Sequence, residues 1–148
     1  MKIVKSLESG LGGALALTVV HELLRKNVAS APRMDLLGMT ALSKILKKNE
    51  SSVPDRAKLF ALTMAGDIIA NALYYSLSGA GKKKGSFLRG SMLGLAAGIG
   101  AVVLPKYIGL PVAPAGRTNK TKVMTVGLYL LGGLVSAGLL GLLQKDKK

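Results

Sequence analysis

An acidic residue stands near the middle of an otherwise apolar run, and it is the residue of this chain best placed to do chemistry. The run is "LFALTMAGDIIANALYYSLSG" at 59–79, and the acid is Asp67. An aspartate at the centre of a membrane-spanning helix costs about 2.5–3.5 kcal/mol on insertion-based scales. Such a residue therefore needs an interior position and a polar partner.

Candidate partners of Asp67 recur at intervals of three or four residues, which places them on one face of a helix. The candidate intramembrane polar site comprises Thr63, Asp67, Asn71, Tyr74 and Tyr75. One hypothesis makes Asp67 an ion or proton site, because a carboxyl group removed from water holds a proton more readily. The alternative, which we prefer from sequence, has Asp67 protonated, or hydrogen-bonded by Asn71 and a tyrosine, so that it joins helices.

A second cluster of polar residues stands at the end of the first apolar run. It consists of His21, Glu22 and Arg25. Glu22 can pair with Arg25 or Lys26 one turn later, and a histidine exchanges protons near neutral pH. We interpret the group as an interfacial patch of anchoring residues. The stretch "HELLR" begins like a zinc-protease motif but lacks the second histidine, and the chain has no cysteine. We therefore predict no catalytic, cofactor or metal site, and no enzymatic function.

Four apolar runs must position these residues. The length of each run is close to the roughly 20 residues that a membrane-spanning helix needs. They cover about 7–24, 59–79, 87–105 and 123–143. A further segment at about 34–48 predicts a basic amphipathic helix that is too short to span and lies in the headgroup region or packs over the bundle end. The predicted fold is an all-α polytopic membrane protein of one domain, 1–148, with four transmembrane helices and one interfacial helix.

The first run could instead be a signal peptide, since the triplet "ASA" at 29–31 is typical of a cleavage site. His21, Glu22 and Arg25 separate this triplet from the apolar stretch. We therefore expect an uncleaved spanning helix.

The chain contains a candidate tandem repeat of two helices. "VASAPR" at 28–33 and "VAPAGR" at 112–117 share four residues. This match aligns the first apolar run with the third. An alignment of Lys58 with Lys122 likewise aligns the second run with the fourth. The two copies would then share one orientation in the membrane, and Leu131 would be the counterpart of Asp67. Chance similarity in a chain rich in Ala, Gly and Leu remains the open alternative.

Small residues at four-residue spacing predict close helix packing, because they let two backbones approach each other. The third run carries one such GxxxG-type ridge and the fourth run carries another. The ridge residues are Gly90, Gly94, Gly98, Gly133, Ala137 and Gly141. Packing within the chain is our preferred interpretation, ahead of a homodimer seam.

The formal net charge of +14 points to anionic lipid headgroups rather than nucleic acid. The bases stand at the ends of apolar runs, whereas a nucleic-acid surface needs them on one face with aromatic residues for stacking. They divide almost evenly between the two sides of the predicted membrane. Lys145, Lys147 and Lys148 count on the side of the termini. The positive-inside rule therefore favours termini outside only weakly.

We predict from the sequence a non-catalytic protein of the bacterial inner membrane that stabilises or organises a membrane assembly. Its partners would be anionic lipids and either a second copy or another membrane protein. The alternative is a small transporter or channel subunit that uses Asp67. The chain resembles the small multidrug transporters in size and in its four predicted helices. Their acid stands in the first helix, whereas Asp67 stands in the second, so the resemblance implies no site residue.

Overall fold

The computed structural model describes residues 2–144, and within these residues the chain is helical with no strand. Two 3-10 turns, Leu77–Gly79 and Lys83–Gly85, connect the third helix to the fourth. The helices are α1 (Lys2–Asn27), α2 (Met34–Lys48), α3 (Arg56–Ser76), α4 (Ser86–Tyr107), α5 (Ala113–Gly116) and α6 (Asn119–Leu143). The all-α prediction is confirmed. The C-terminal lysines that entered the topology prediction lie outside the described residues.

Two of the long helices, α3 and α6, begin at side-chain caps. Asp55 accepts hydrogen bonds from the backbone N–H groups of Ala57 and Lys58 at 3.0 and 3.1 Å, and α3 starts there. Thr118 accepts from the N–H of Thr121 at 3.0 Å at the start of α6. Caps of this kind satisfy donors that have no partner inside the helix. They therefore fix where α3 and α6 begin.

Four long helices form an antiparallel bundle in which neighbours follow the order α3, α1, α6, α4. The contacts between α4 and α6 are the most extensive, followed by α1 with α6 and α1 with α3. Helices α3 and α4 would close the ring, but they touch at few points. The bundle is therefore split along one seam, between the helix that carries Asp67 and α4.

Small residues hold α4 against α6. The three glycines of the predicted α4 ridge are buried, and they are Gly90, Gly94 and Gly98. Gly90 lies against the backbone of Gly133, and Ala137 is fully buried beside it. Gly141 was placed on the same ridge by the sequence pattern. It has no neighbour within 4 Å of the position a Cβ would take, so the contact does not extend to it.

Small side chains with hydroxyl groups are common in the interior of the bundle, whereas large apolar side chains cover its exterior. The fully buried hydroxyl residues are Ser9, Ser78, Thr121, Thr125 and Ser136. Ile3 on α1 is 76% exposed and Leu88 on α4 is 68% exposed. Such an outer surface suits lipid better than water. Helices α1, α4 and α6 are long and apolar enough to cross a membrane, so residues 2–144 contain three candidate membrane spans.

The predicted fourth span is present as a helix, but it is not among these three candidates. Helix α3 has 21 residues, so its length suffices. Asp67, Asn71 and two tyrosines make it less apolar than its neighbours. The four-span fold and the tandem repeat therefore stay predictions.

Helix α2 covers the segment over which the sequence predicted a helix, and it packs against α3. Its buried residues are Asp35, Leu37 and Met39. Ile45, by contrast, is 57% exposed. Contact with α3 corresponds to the interpretation of a helix packed on the bundle. A headgroup location for the exposed face stays a prediction.

Candidate functional site

The polar residues of α3 divide between the bundle interior and the open seam. Thr63, Asn71 and Tyr75 are buried, whereas Asp67 and Tyr74 are half-buried. The structure thus places all five predicted residues on the inner half of α3. It does not gather them into one pocket.

The two tyrosines form hydrogen bonds to helices other than α3. The hydroxyl of Tyr75 donates to the carbonyl oxygen of Tyr129 on α6 at 2.8 Å. The hydroxyl of Tyr74 donates to the carbonyl oxygen of Leu93 on α4 at 2.9 Å. A phenol has one proton to donate, so neither tyrosine donates to Asp67 in this arrangement. The tyrosine partner proposed for Asp67 is therefore not what the structure shows.

Asp67 lines a cleft of about 650 Å³ between α3 and α4. Asn71 stands one turn further along the same wall, and Tyr129 of α6 also lines the cleft. The α4 wall is small along most of its length, and Leu104 and Pro105 extend it toward α2; its small residues are Ala96, Ala97, Gly100 and Ala101. The cleft is thus mainly apolar, with a carboxylate and an amide on one wall. Asp67 faces open space there and is not locked into a closed helix contact.

The cleft is closed at both of its ends. At one end the hydrogen bond from Tyr74 to Leu93 bridges α3 and α4. At the other end α2 contributes Met34, Leu37 and Gly38 to the wall. The ammonium group of Lys44 donates to the carbonyl oxygen of Gly109, which ties α2 to the loop that follows α4. Helix α2 therefore covers one end of the cleft.

His21 is buried beneath the segment that leads into α2, with 3% of its surface exposed. Its Nε2 atom lies 3.1 Å from the carbonyl oxygen of Pro32 and 3.3 Å from the N–H of Met34. One tautomer donates to Pro32, and the other accepts from Met34. His21 is therefore not exposed at the surface of the bundle, because the connection after α1 folds back over it.

Two ion pairs flank His21. The predicted pair is present: Arg25 donates through Nε and Nη2 to both carboxylate oxygens of Glu22, each at 2.6 Å. The second pair was not predicted. Arg33 donates through Nε and Nη2 to the buried carboxylate of Asp35 at 2.9 and 2.7 Å. The signal in the sequence was the "RMD" spacing of Arg33 and Asp35.

The Arg33–Asp35 pair sets the ionisation of a buried carboxyl group. Burial alone would raise the pKa of Asp35. The two hydrogen bonds and the positive charge of Arg33 outweigh this effect and hold the pKa below its ordinary value. Asp35 is therefore ionised at neutral pH, and the pair fixes the first turn of α2.

Two buried hydroxyl groups have no hydrogen-bond partner among the described residues. They belong to Thr63, one turn before Asp67, and to Thr18 of α1. An unpaired buried polar group costs about 1–3 kcal/mol. The search over residues 2–144 finds no cluster of three or more His, Asp or Glu side chains that could hold a metal ion.

Comparison of the chain with protein-family models, with curated proteins and with solved structures finds no match. The class of protein must therefore come from the fold and the cleft. They define, over residues 2–144, a helical bundle with three helices capable of crossing a membrane and an open cleft lined by one acid, Asp67.

Proposed function

We propose that this chain is a small, non-catalytic integral membrane protein that binds a cationic ligand in the α3–α4 cleft, as a carrier or channel subunit. The observation that carries the proposal is the position of Asp67, whose carboxylate lines an open cleft of about 650 Å³. A tightly packed, closed setting would instead have favoured the structural use of Asp67 that the sequence suggested.

The proposal includes α3 as a fourth membrane span. Helix α3 packs extensively on α1, which is itself a candidate span, so the two helices share one depth. Its outward residues are large and apolar, and they are Leu62, Ile69 and Leu73. Its polar residues face the bundle or the cleft. Intramembrane polar groups are expected to lie on such inward faces.

The walls of the cleft indicate the chemistry of the ligand. Alanine and glycine line α4, and a single carboxylate stands opposite them on α3. Small apolar walls with few polar groups are typical of ligand sites. A small apolar molecule with one cationic group would match both features. Because one carboxylate binds either the cation or a proton, loading and release of the cation would exchange with a proton at Asp67.

We also propose the tandem repeat, and the cleft lies where the two halves depart from its symmetry. Segments 28–33 and 112–117 lie together, since the N–H of Arg33 donates to Pro114 at 2.8 Å and Arg117 donates to Ala29. The pairs α1–α3 and α4–α6 both pack closely, as two related hairpins would. If the repeat were symmetric, α3 would pack on α4 in the way that α6 packs on α1. Instead, α3 and α4 are separated. The cleft is thus the place where the two halves differ.

A second candidate function is the organisation of a membrane assembly, in which a second copy or another membrane protein would cover an outer helix face. The supporting observation is the exposed apolar surface of α4, where Phe87 is 57% exposed and Met92 is 61% exposed. Lipid would otherwise cover this face. For either function we propose the bacterial inner membrane, where anionic headgroups would meet the basic ends of the helices.

Reconstitution into vesicles tests the two functions against each other. The wild type and the Asp67→Asn, Asp67→Glu and Glu8→Gln variants are compared for uptake of a fluorescent lipophilic cation driven by a pH gradient. Glu8 is exposed on α1, so its variant controls for the loss of one acid outside the cleft. We expect Asp67→Asn to abolish uptake, while Asp67→Glu and Glu8→Gln retain it. Background uptake in all four proteins would refute the carrier and leave the organising function.

A further inference from the structure

Three arginines from three different parts of the chain line one cavity of about 410 Å³. Arg25 lies in the last turn of α1, Arg33 precedes α2, and Arg56 is the first residue of α3. Phe60 and Met39 provide the apolar part of the lining. Three like charges around so small a space repel one another unless carboxylates or a bound anion offset them.

Two of the three guanidinium groups are held in fixed orientations. Arg25 is paired side-on with Glu22, and its guanidinium carbon lies 5.5 Å from the centre of the Phe60 ring. Arg33 is paired side-on with Asp35. Both pairs use the Nε and Nη2 atoms, so the Nη1 donors of both arginines are left for another acceptor. The carboxylates thus orient the arginines without using all their hydrogen-bond donors.

Arg56 is the third donor, and none of the ion pairs found in residues 2–144 includes it. The cavity therefore combines two oriented guanidinium groups with one that is free to close on a ligand. Three positive charges face the two negative charges of Glu22 and Asp35, which leaves an excess of one. A phosphodiester carries one negative charge and would balance it.

We propose that this cavity binds the phosphate group of an anionic phospholipid. Arginine is the side chain best suited to phosphate, because its planar donors match the phosphate oxygens. Arg25 lies at the end of a candidate membrane span, which places the cavity at headgroup depth. Phe60 and Met39 would contact the glycerol and the first acyl carbons. Inorganic phosphate has no apolar part that could contact these side chains. The proposal does not depend on the ligand of the Asp67 cleft.

Native mass spectrometry of the full chain in detergent, titrated with phosphatidylglycerol, tests the site. The variant is Arg56→Gln, and its matched control is Lys58→Gln, which loses the same charge two residues away and outside the cavity. We expect Arg56→Gln to weaken binding about tenfold, as for loss of one charged hydrogen bond, and the control to change it less than about twofold. Phosphatidylcholine, which has no net charge, is expected to bind more weakly to the wild type.

Two results would overturn the proposal. Equal weakening in Arg56→Gln and Lys58→Gln would show general attraction to basic residues and no discrete site. Binding of inorganic phosphate alone, with the same dependence on Arg56, would assign the cavity to a water-soluble anion and overturn the lipid assignment. Circular dichroism of both variants checks their fold, and no ion pair of the described chain is lost in either.

Discussion

Replacing Gly94 by alanine is expected to destabilise the α4–α6 contact. The added Cβ would lie 2.7 Å from both the Cα atom of Leu130 and the carbonyl oxygen of Tyr129, whereas ordinary contact begins at 3.4 Å. Both neighbours are backbone atoms, so α6 as a whole would have to move by about 0.7 Å. Overpacking of this kind costs about 1–3 kcal/mol.

Gly127→Ala is the matched control, because the position of its added Cβ has no neighbour within 4 Å. Both variants gain the helix propensity of alanine over glycine, about 1 kcal/mol, so this gain cancels between them. The free energy of unfolding of Gly94→Ala should therefore fall about 1–3 kcal/mol below that of Gly127→Ala. The assay is reversible unfolding in mixed detergent micelles, followed by far-ultraviolet circular dichroism. Equal transition midpoints for the two variants would refute the packing argument.

Three further predictions concern the polar contacts. Tyr75→Phe loses one buried hydrogen bond and should lower the free energy of unfolding by about 0.5–1.5 kcal/mol in the same assay; an unchanged value would contradict the contact to α6. Ser78 and Ser136, whose hydroxyl groups lie 3.2 Å apart, should show a coupling energy of about 0.6 kcal/mol in a double-mutant cycle of alanine variants, and additive effects would argue against their hydrogen bond. Because the pKa of Asp35 is held below its ordinary value, the stabilisation by Arg33 is complete at neutral pH and is lost as the pH falls below about 4. Unfolding followed from pH 7 to pH 2 should show this loss in the wild type and a smaller one in Asp35→Asn.

Helix positions could be predicted from the sequence because each long helix contains one apolar run. The ends were less accurate, for local reasons. Helix α1 starts at Lys2 and not near residue 7, since a polar first turn does not prevent a helix. Pro105 was expected to end α4, but the helix continues to Tyr107. Proline in a last turn removes only one hydrogen bond of the helix, so the helix can pass it by two residues.

The candidate site was only partly predictable, because its shape depends on contacts between distant segments. Helical periodicity predicted a shared face of α3 for Thr63, Asn71 and Tyr75, and all three are buried. Periodicity along one helix carries no information about the gap between α3 and α4, and this gap exposes Asp67. The burial of His21 likewise depends on the connection 28–33 folding over α1, which no spacing in the sequence indicates.

Helix α2 separates the two proposed sites, so they are expected to be linked. Leu37 and Gly38 line the Asp67 cleft, and Met39 lines the arginine cavity. A ligand that shifts α2 in one site must alter the wall of the other, and binding linkage is reciprocal. The factor by which phosphatidylglycerol changes cation affinity should therefore equal the factor by which the cation changes lipid affinity. Titration of each ligand at saturating and zero concentrations of the other measures both factors. A factor of one in both directions would show that α2 is a rigid partition and would refute the linkage.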